Sequence, residues 1–291
     1  MFRESVNLCR AAGYVHADTV SCVPESEFVM TASAALRGRR DNPSVWVVTS
    51  TELTRLRRGF IAWYALLAPV VIAVPLFMGS LFAPDGPGEH TWKVFSTSTL
   101  NLWGMLVPMS AGLLAALSIR SDQDSWRLML SYAVPRHRYF TGKVAALSLL
   151  GLVSSVVLFA MLLLAAAING QLADAVGLAA GAAFLPWLVG LATTGIAVLV
   201  AAAWGLGPSI AVGVVGMFGG LIVADKSFWF AVPFSWPMRI LQSVAGVGTN
   251  GIPLPGGGSS GHAIPVAVAL SVVVLVLVLL AGGRLMTRKE V

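Results

Sequence analysis

The sequence predicts an all-α integral membrane protein with six transmembrane helices and both termini in the cytosol. A short amphipathic helix is expected before the first span, and another cytosolic helix between spans 2 and 3. Three observations carry this expectation. The 291 residues are 57% hydrophobic and 11% charged, with a mean hydropathy of +0.82, well outside the range of soluble domains. Stretches without Asp, Glu, Lys or Arg cover 59–84, 94–119, 144–173, 175–224 and 240–283, each long enough to cross a bilayer. The basic residues gather in a few gaps between those stretches, as expected of loops on one side of a membrane.

Residues 1–47 have mixed composition, no sustained hydrophobic period and no apolar run of signal-peptide length, so they are expected to be a flexible segment, with Met30 as an alternative start. Cys9 and Cys22 both fall here, in no metal-binding spacing. Residues 48–291 form the transmembrane domain. Its entry, 48–58, carries Leu53 and Leu56 beside Arg55, Arg57 and Arg58, which suits a short helix on an anionic leaflet or an ordinary basic flank.

The spans are placed at about 60–82, 95–119, 144–169, 175–203, 208–224 and 265–283. The charge-free stretch 175–224 is too long for one helix, and Trp204-Gly205-Leu206-Gly207-Pro208 breaks it where a tight turn fits. In the last stretch, a loop rich in glycine and proline from Gly246 to Gly261 precedes a continuous apolar helix. Arg55, Arg57 and Arg58 before span 1, Arg120 to Lys143 between spans 2 and 3, and Arg284, Arg288 and Lys289 after span 6 assign those sites to the cytosol. Lys93, Lys226 and Arg239 fall on the opposite side.

Within 120–143, Ser121 and Asp124 match a helix-start capping box. Trp126, Met129, Leu130 and Ala133 then follow at the spacing of one apolar helical face. A helix from Asp122 to Ala133 is expected, stopped by Pro135.

Several chemistries lack their residues. No His, Asp, Glu or Lys falls inside an expected span, which argues against a membrane-embedded hydrolase and against an ion-coupled secondary transporter. His16, His90, His137 and His262 lie apart, in no ligand spacing. Gly142-Lys143 lacks the first glycine and the Ser or Thr of a Walker A loop, so this chain is not expected to bind or hydrolyse ATP, nor to act as an enzyme. Net charge +6 is explained by sidedness, so no nucleic-acid partner is expected.

The segment Trp126-Arg127-Leu128-Met129-Leu130, followed by Val134-Pro135-Arg136-His137-Arg138-Tyr139 and Gly142-Lys143, resembles the cytosolic loop of ABC-2 type permeases, particularly the lantibiotic-immunity branch. Glu52 to Arg58 leading into Trp63 and Pro69 resembles that family's entry to its first helix, and Phe234-Ser235-Trp236-Pro237 its external segment before the last.

The resemblance implies a permease subunit of an ATP-driven ABC transporter, working in the plasma membrane on an amphipathic peptide antibiotic or a similar hydrophobic compound. It implies a cytosolic ABC ATPase as partner, which supplies ATP and Mg chemistry that this chain lacks, and a second permease in a homodimer or heterodimer, surrounded by membrane lipid. It makes Asp122, Trp126, Arg127, Met129 and Leu130 the expected docking residues for the ATPase, with Arg136 and Arg138 supporting that coupling loop.

A membrane anchor or sensor that recruits a cytosolic partner through the same loop is the competing class. For a translocation path, span 2 is richest in polar residues, and Ser98 and Asn101 share one of its faces at i, i+3. Gly177, Gly181, Gly213, Gly216, Gly219 and Gly220 are expected to let helices approach closely, within the chain or at a dimer seam.

Overall fold

The computed structural model describes residues 14–16, 22–24, 43–82, 86–123, 135–249 and 262–288. Two three-residue strands, β1 (Tyr14–His16) and β2 (Cys22–Pro24), pair antiparallel within the N-terminal segment. The rest is helical: α1 (Val45–Leu56), α2 (Phe60–Ser80), α3 (Glu89–Gln123), α4 (Arg136–Ile168), α5 (Leu172–Trp204), α6 (Leu206–Ala224), α7 (Trp236–Ala245) and α8 (Ala263–Arg288). Two 3-10 turns, Trp229–Ala231 and Pro233–Ser235, lead into α7. Six helices, α2 to α6 and α8, are long and apolar enough to cross a membrane.

Helix α1 starts where the Ser44 hydroxyl accepts the Val47 amide. Val48, Glu52 and Leu56 follow at four-residue intervals on its buried face. That face packs on α4, where a Cβ added to Gly142 would come within 2.7 Å of Val48 Cγ1. The helix expected to rest on a leaflet is thus keyed into the bundle. In α2, Ile61, Ala65, Pro69 and Ala73 form the buried stripe, while Phe60, Trp63, Leu67 and Val71 face outward.

Helix α3 runs 35 residues and α4 33, each longer than the expected span because a helix does not stop at its first charge. The clearest consequence is at Ser121. Ser121 does not start a helix: α3 continues past it to Gln123, and the Ser121 hydroxyl donates to the Ser118 carbonyl 2.8 Å away. Pro135, expected to stop the loop helix, immediately precedes the first turn of α4, whose Arg138 amide donates to its carbonyl. Residues 124–134, which hold most of the expected loop helix, lie outside the described residues.

The break expected at Trp204–Pro208 is confined to Gly205, whose φ of 92° and ψ of −163° are open essentially to glycine alone. Alanines of α5, among them Ala175, Ala179, Ala182, Ala183, Ala192 and Ala197, are buried and let α3, α4 and α8 pack around it. Helices α3 and α6 meet where a Cβ on Gly112 would fall 2.7 Å from the Gly213 Cα, and the Ser209 hydroxyl lies 3.0 Å from the Gly112 carbonyl. Gly216 and Gly220 receive Phe234, whereas Gly177 and Gly219 face open space.

Between α6 and α7 the aromatic segment folds back on the bundle. Trp236 is buried with its indole N–H donated to the Phe230 carbonyl, while Phe228 and Phe230 stay exposed. Arg239 sits 5.7 Å from the centre of the Trp229 ring and donates to the Ala224 carbonyl. Gly246, at a φ of 67°, closes α7.

Candidate functional site

The helices alternate in direction, so one end of the bundle collects α1, the end of α3, the start of α4 and the end of α8. Four ionisable side chains from three of these helices converge there: Glu52 and Arg55 from α1, Asp122 from the last turn of α3, and Lys143 from the second turn of α4. Glu52 shares the inner face of α1 with Val48 and Leu56, and Tyr139 and Lys143 share a face of α4 at i, i+4.

Lys143 is fully buried, and its Nζ lies 2.6 Å from Asp122 Oδ2 and 3.2 Å from Glu52 Oε2. It also donates to the Ser118 hydroxyl at 2.9 Å. The Arg55 guanidinium pairs with Asp122 Oδ1, donates to the Ser121 hydroxyl at 3.0 Å and lies 3.8 Å from Glu52 Oε1. The Tyr139 hydroxyl donates to Asp122 Oδ2, and its ring centre lies 5.4 Å from Lys143 Nζ.

Two cations and two carboxylates balance, and each ion has hydrogen-bonding partners as well as a counter-charge. Only such an arrangement allows ions to be removed from water at tolerable cost. What it does mechanically is bind three helix ends into one unit. Residues 124–134 follow the end of α3, one residue beyond Asp122, and precede Pro135 and α4 in the chain.

Of the expected docking residues, Asp122 is 0% exposed and pairs both carboxylate oxygens inside this cluster. Trp126, Arg127, Met129 and Leu130 lie outside the described residues. Arg136 donates to the Met286 carbonyl at 3.2 Å, among the last carbonyls of α8, and Arg138 donates to the Pro43 carbonyl at 2.8 Å, just ahead of α1. Both arginines therefore tie the start of α4 to neighbouring chain ends.

Ser98 is exposed in a shallow cleft with Ser80 and Phe82 near the opposite end, and Asn101 is half-buried. Neither lines the partly open pocket of ≈ 70 Å³ that lies among α2, α3, α4 and α5. The polar atoms of its wall come from Tyr64, Ser110, Ser148, Ser154, Ser155 and Thr194, together with Trp187. Among the described residues, no group of three or more His, Cys, Asp or Glu side chains is arranged to hold a metal ion.

Residues 48–232, from the first turn of α1 to the aromatic segment, match the family described as ABC-2 family transporter protein. The chain belongs to the ABC-2 transporter family. This ABC-2 protein is accordingly a multi-pass permease of the plasma membrane. Members of the family are transport subunits, generally not catalytic themselves, that work with a cytosolic ABC ATPase. Among individually curated proteins, none matches the chain.

Sequence reasoning missed Glu52 and Lys143 as partners. Glu52 had one local signal: it is an acid at the i+4 position between Val48 and Leu56 on the apolar face of a short helix. Lys143 had none, since it follows loop arginines and reads as another basic flank. Its carboxylate partner Glu52 is 91 residues away in the chain.

Proposed function

We propose that this ABC-2 protein is the membrane-spanning subunit of an ATP-driven exporter, with the charged cluster on the cytosolic side and the ATPase docked on the loop 124–134. The cargo is an amphipathic peptide antibiotic or a similar hydrophobic compound, exported or cleared from the membrane. The observation that carries this reading is the buried cluster of Glu52, Arg55, Asp122 and Lys143 at the base of the loop.

A push on a loop moves a transmembrane helix only if the loop's base is stiff. Breaking a buried ion pair by removing one partner costs about 3–5 kcal/mol, so the ends of α1, α3 and α4 move together under any smaller load. The arginines add two further ties, Arg136 to the end of α8 and Arg138 to the chain ahead of α1. Two such subunits, identical or different, pair in the membrane, and nucleotide-driven closure of two ATPases tilts these linked helix ends to open the path to the other side.

The test is co-purification from detergent with the cognate ABC ATPase, comparing wild type with Trp126→Ala/Met129→Asp in the loop. The wild type is expected to retain the ATPase and a folded double variant to lose it. A wild type that binds no ABC ATPase refutes the reading and favours an anchor or sensor.

A further inference from the structure

We propose that the pocket among α2, α3, α4 and α5 binds a small cluster of water molecules, and that this water makes the proline break in α2 a working hinge. Each of the four helices brings a hydroxyl to the wall: Tyr64 from α2, Ser110 from α3, Ser155 from α4 and Thr194 from α5. No Asp, Glu, Lys, Arg or His lines it, so the site is built for a neutral ligand.

Two of those hydroxyls call for an occupant. Ser155 is 2% exposed, and neither its hydroxyl nor that of Thr194 has a hydrogen-bond partner among the described residues. A hydroxyl removed from bulk water without a partner is costly, and buried polar groups are satisfied by protein or by ordered water. The Tyr64 and Ser110 hydroxyls lie 2.8 Å apart and share one hydrogen bond, which leaves each a lone pair to spare. A buried water makes about three hydrogen bonds, and these four groups supply partners from four helices. Size agrees. The usable space is ≈ 70 Å³, and at about 10–15 Å³ as the least that one water needs, it takes a cluster of about two to five.

The pocket also lies where α2 is broken. Pro69 is buried and has no N–H, so the Ala65 carbonyl four residues back loses its helical donor. The Ser154 hydroxyl of α4 donates to that carbonyl instead. Ala68, next to Pro69, and Ser154 both line the pocket. When α2 tilts at Pro69, a water takes the place of Ser154 at the Ala65 carbonyl, and the wall hydroxyls exchange partners through water instead of losing them. Ordered water and serine hydroxyls are what re-satisfy a helix broken inside a membrane. The inference rests on the permease reading only for the use of this movement in transport.

Occupancy is tested on the full-length chain in lipid nanodiscs, without ATPase, so failure here leaves the permease reading standing. Synchrotron pulses split bound water into hydroxyl radicals, which oxidise the side chains beside it, and peptide mass spectrometry locates the products. Pocket-lining Tyr64, Trp187 and Leu191 are expected to be oxidised, and Leu277, on the outward face of α8, to stay unmodified. Ser155→Ala/Thr194→Val removes the two unpartnered hydroxyls with little change of shape and should lose most of that oxidation. Ser155→Leu, which fills the pocket, should lose all of it. Leu191 oxidised no more than Leu277, or oxidation of Tyr64 and Trp187 that persists in the folded double variant, would overturn the water site.

The hinge has its own readout. With Cys9 and Cys22 replaced by serine, spin labels at exposed Phe82 and Ile168, beyond α2 and at the end of α4, report the tilt by double electron–electron resonance. Pro69→Ala, which restores the missing N–H, and Ser155→Leu, which displaces the water, should each narrow the distance distribution. A width equal to wild type in either folded variant overturns the hinge.

Discussion

Lys143→Met is the sharpest perturbation of the charged cluster. Met approximates the length of the lysine stem and removes the charge, leaving Glu52 Oε2 without its cation 3.2 Å away and Asp122 Oδ2 without the one 2.6 Å away. Arg55 remains, with a side chain 34% exposed, and one cation then faces two carboxylates that are 6% and 0% exposed. The expected loss is about 3–5 kcal/mol, the penalty for an unpaired buried ion.

The compensating variant is Lys143→Met/Glu52→Gln, which removes one charge of each sign and keeps the Arg55–Asp122 pair. Its stability should return most of the way to wild type, giving a coupling energy toward the upper end of about 0.5–3 kcal/mol in a double-mutant cycle. The assay is reversible unfolding in mixed micelles followed by tryptophan fluorescence, with ATPase-driven transport measured in parallel. Lys143→Met should lose both stability and coupling. If the two substitutions prove additive within about 0.5 kcal/mol, the cluster is not an energetic unit and its role as a stiff base for the loop fails.

Other consequences are equally direct. Gly112→Val should separate α3 from α6, because the new Cβ meets backbone at 2.7 Å, and cost at least about 1–3 kcal/mol; Gly219→Ala, facing open space, should be neutral in the same unfolding assay. Gly205→Ala should cost about 1–3 kcal/mol by straining the α5–α6 turn, with a matching fall in folded yield from the membrane, whereas Gly207→Ala, two residues on, should not. In cells, with Cys9 and Cys22 replaced by serine, Lys226→Cys should react with a membrane-impermeant maleimide added outside while Arg284→Cys reacts only after permeabilisation; the reverse pattern would invert the orientation proposed for the bundle.

Much of the architecture was legible because it depends on local properties. Each expected span lies on one of the six long apolar helices, and the turn at Gly205 was announced by its glycines and proline. Helix ends were less so: counting charge-free residues placed the end of span 2 at 119, whereas α3 runs on to Gln123 because its terminal polar groups find partners in the fold. Ser121 illustrates the error. Its spacing to Asp124 is that of a helix start, yet a serine inside a last helical turn is equally content donating to a carbonyl three residues back.

Asp122 illustrates another: a carboxylate next to a loop reads as surface, and only its neighbours from α1 and α4 show it to be interior. The glycines divide in the same way, since composition marks a small residue but not whether a helix lies against it. Gly213 and Gly216 are covered while Gly219 is open.

By itself, then, the sequence determined a helical membrane protein, the number of spans and the break between the fourth and fifth of them. All of these follow from hydropathy and backbone preference summed along neighbouring residues. The tertiary structure alone decided that Glu52, Arg55, Asp122 and Lys143 form one closed cluster, and that the polar residues of four helices surround a cleft from which Ser98 and Asn101 are absent. An ion pair or a cavity wall exists only when groups far apart in the chain come within a few ångströms, because Coulomb attraction and van der Waals contact depend on distance in space.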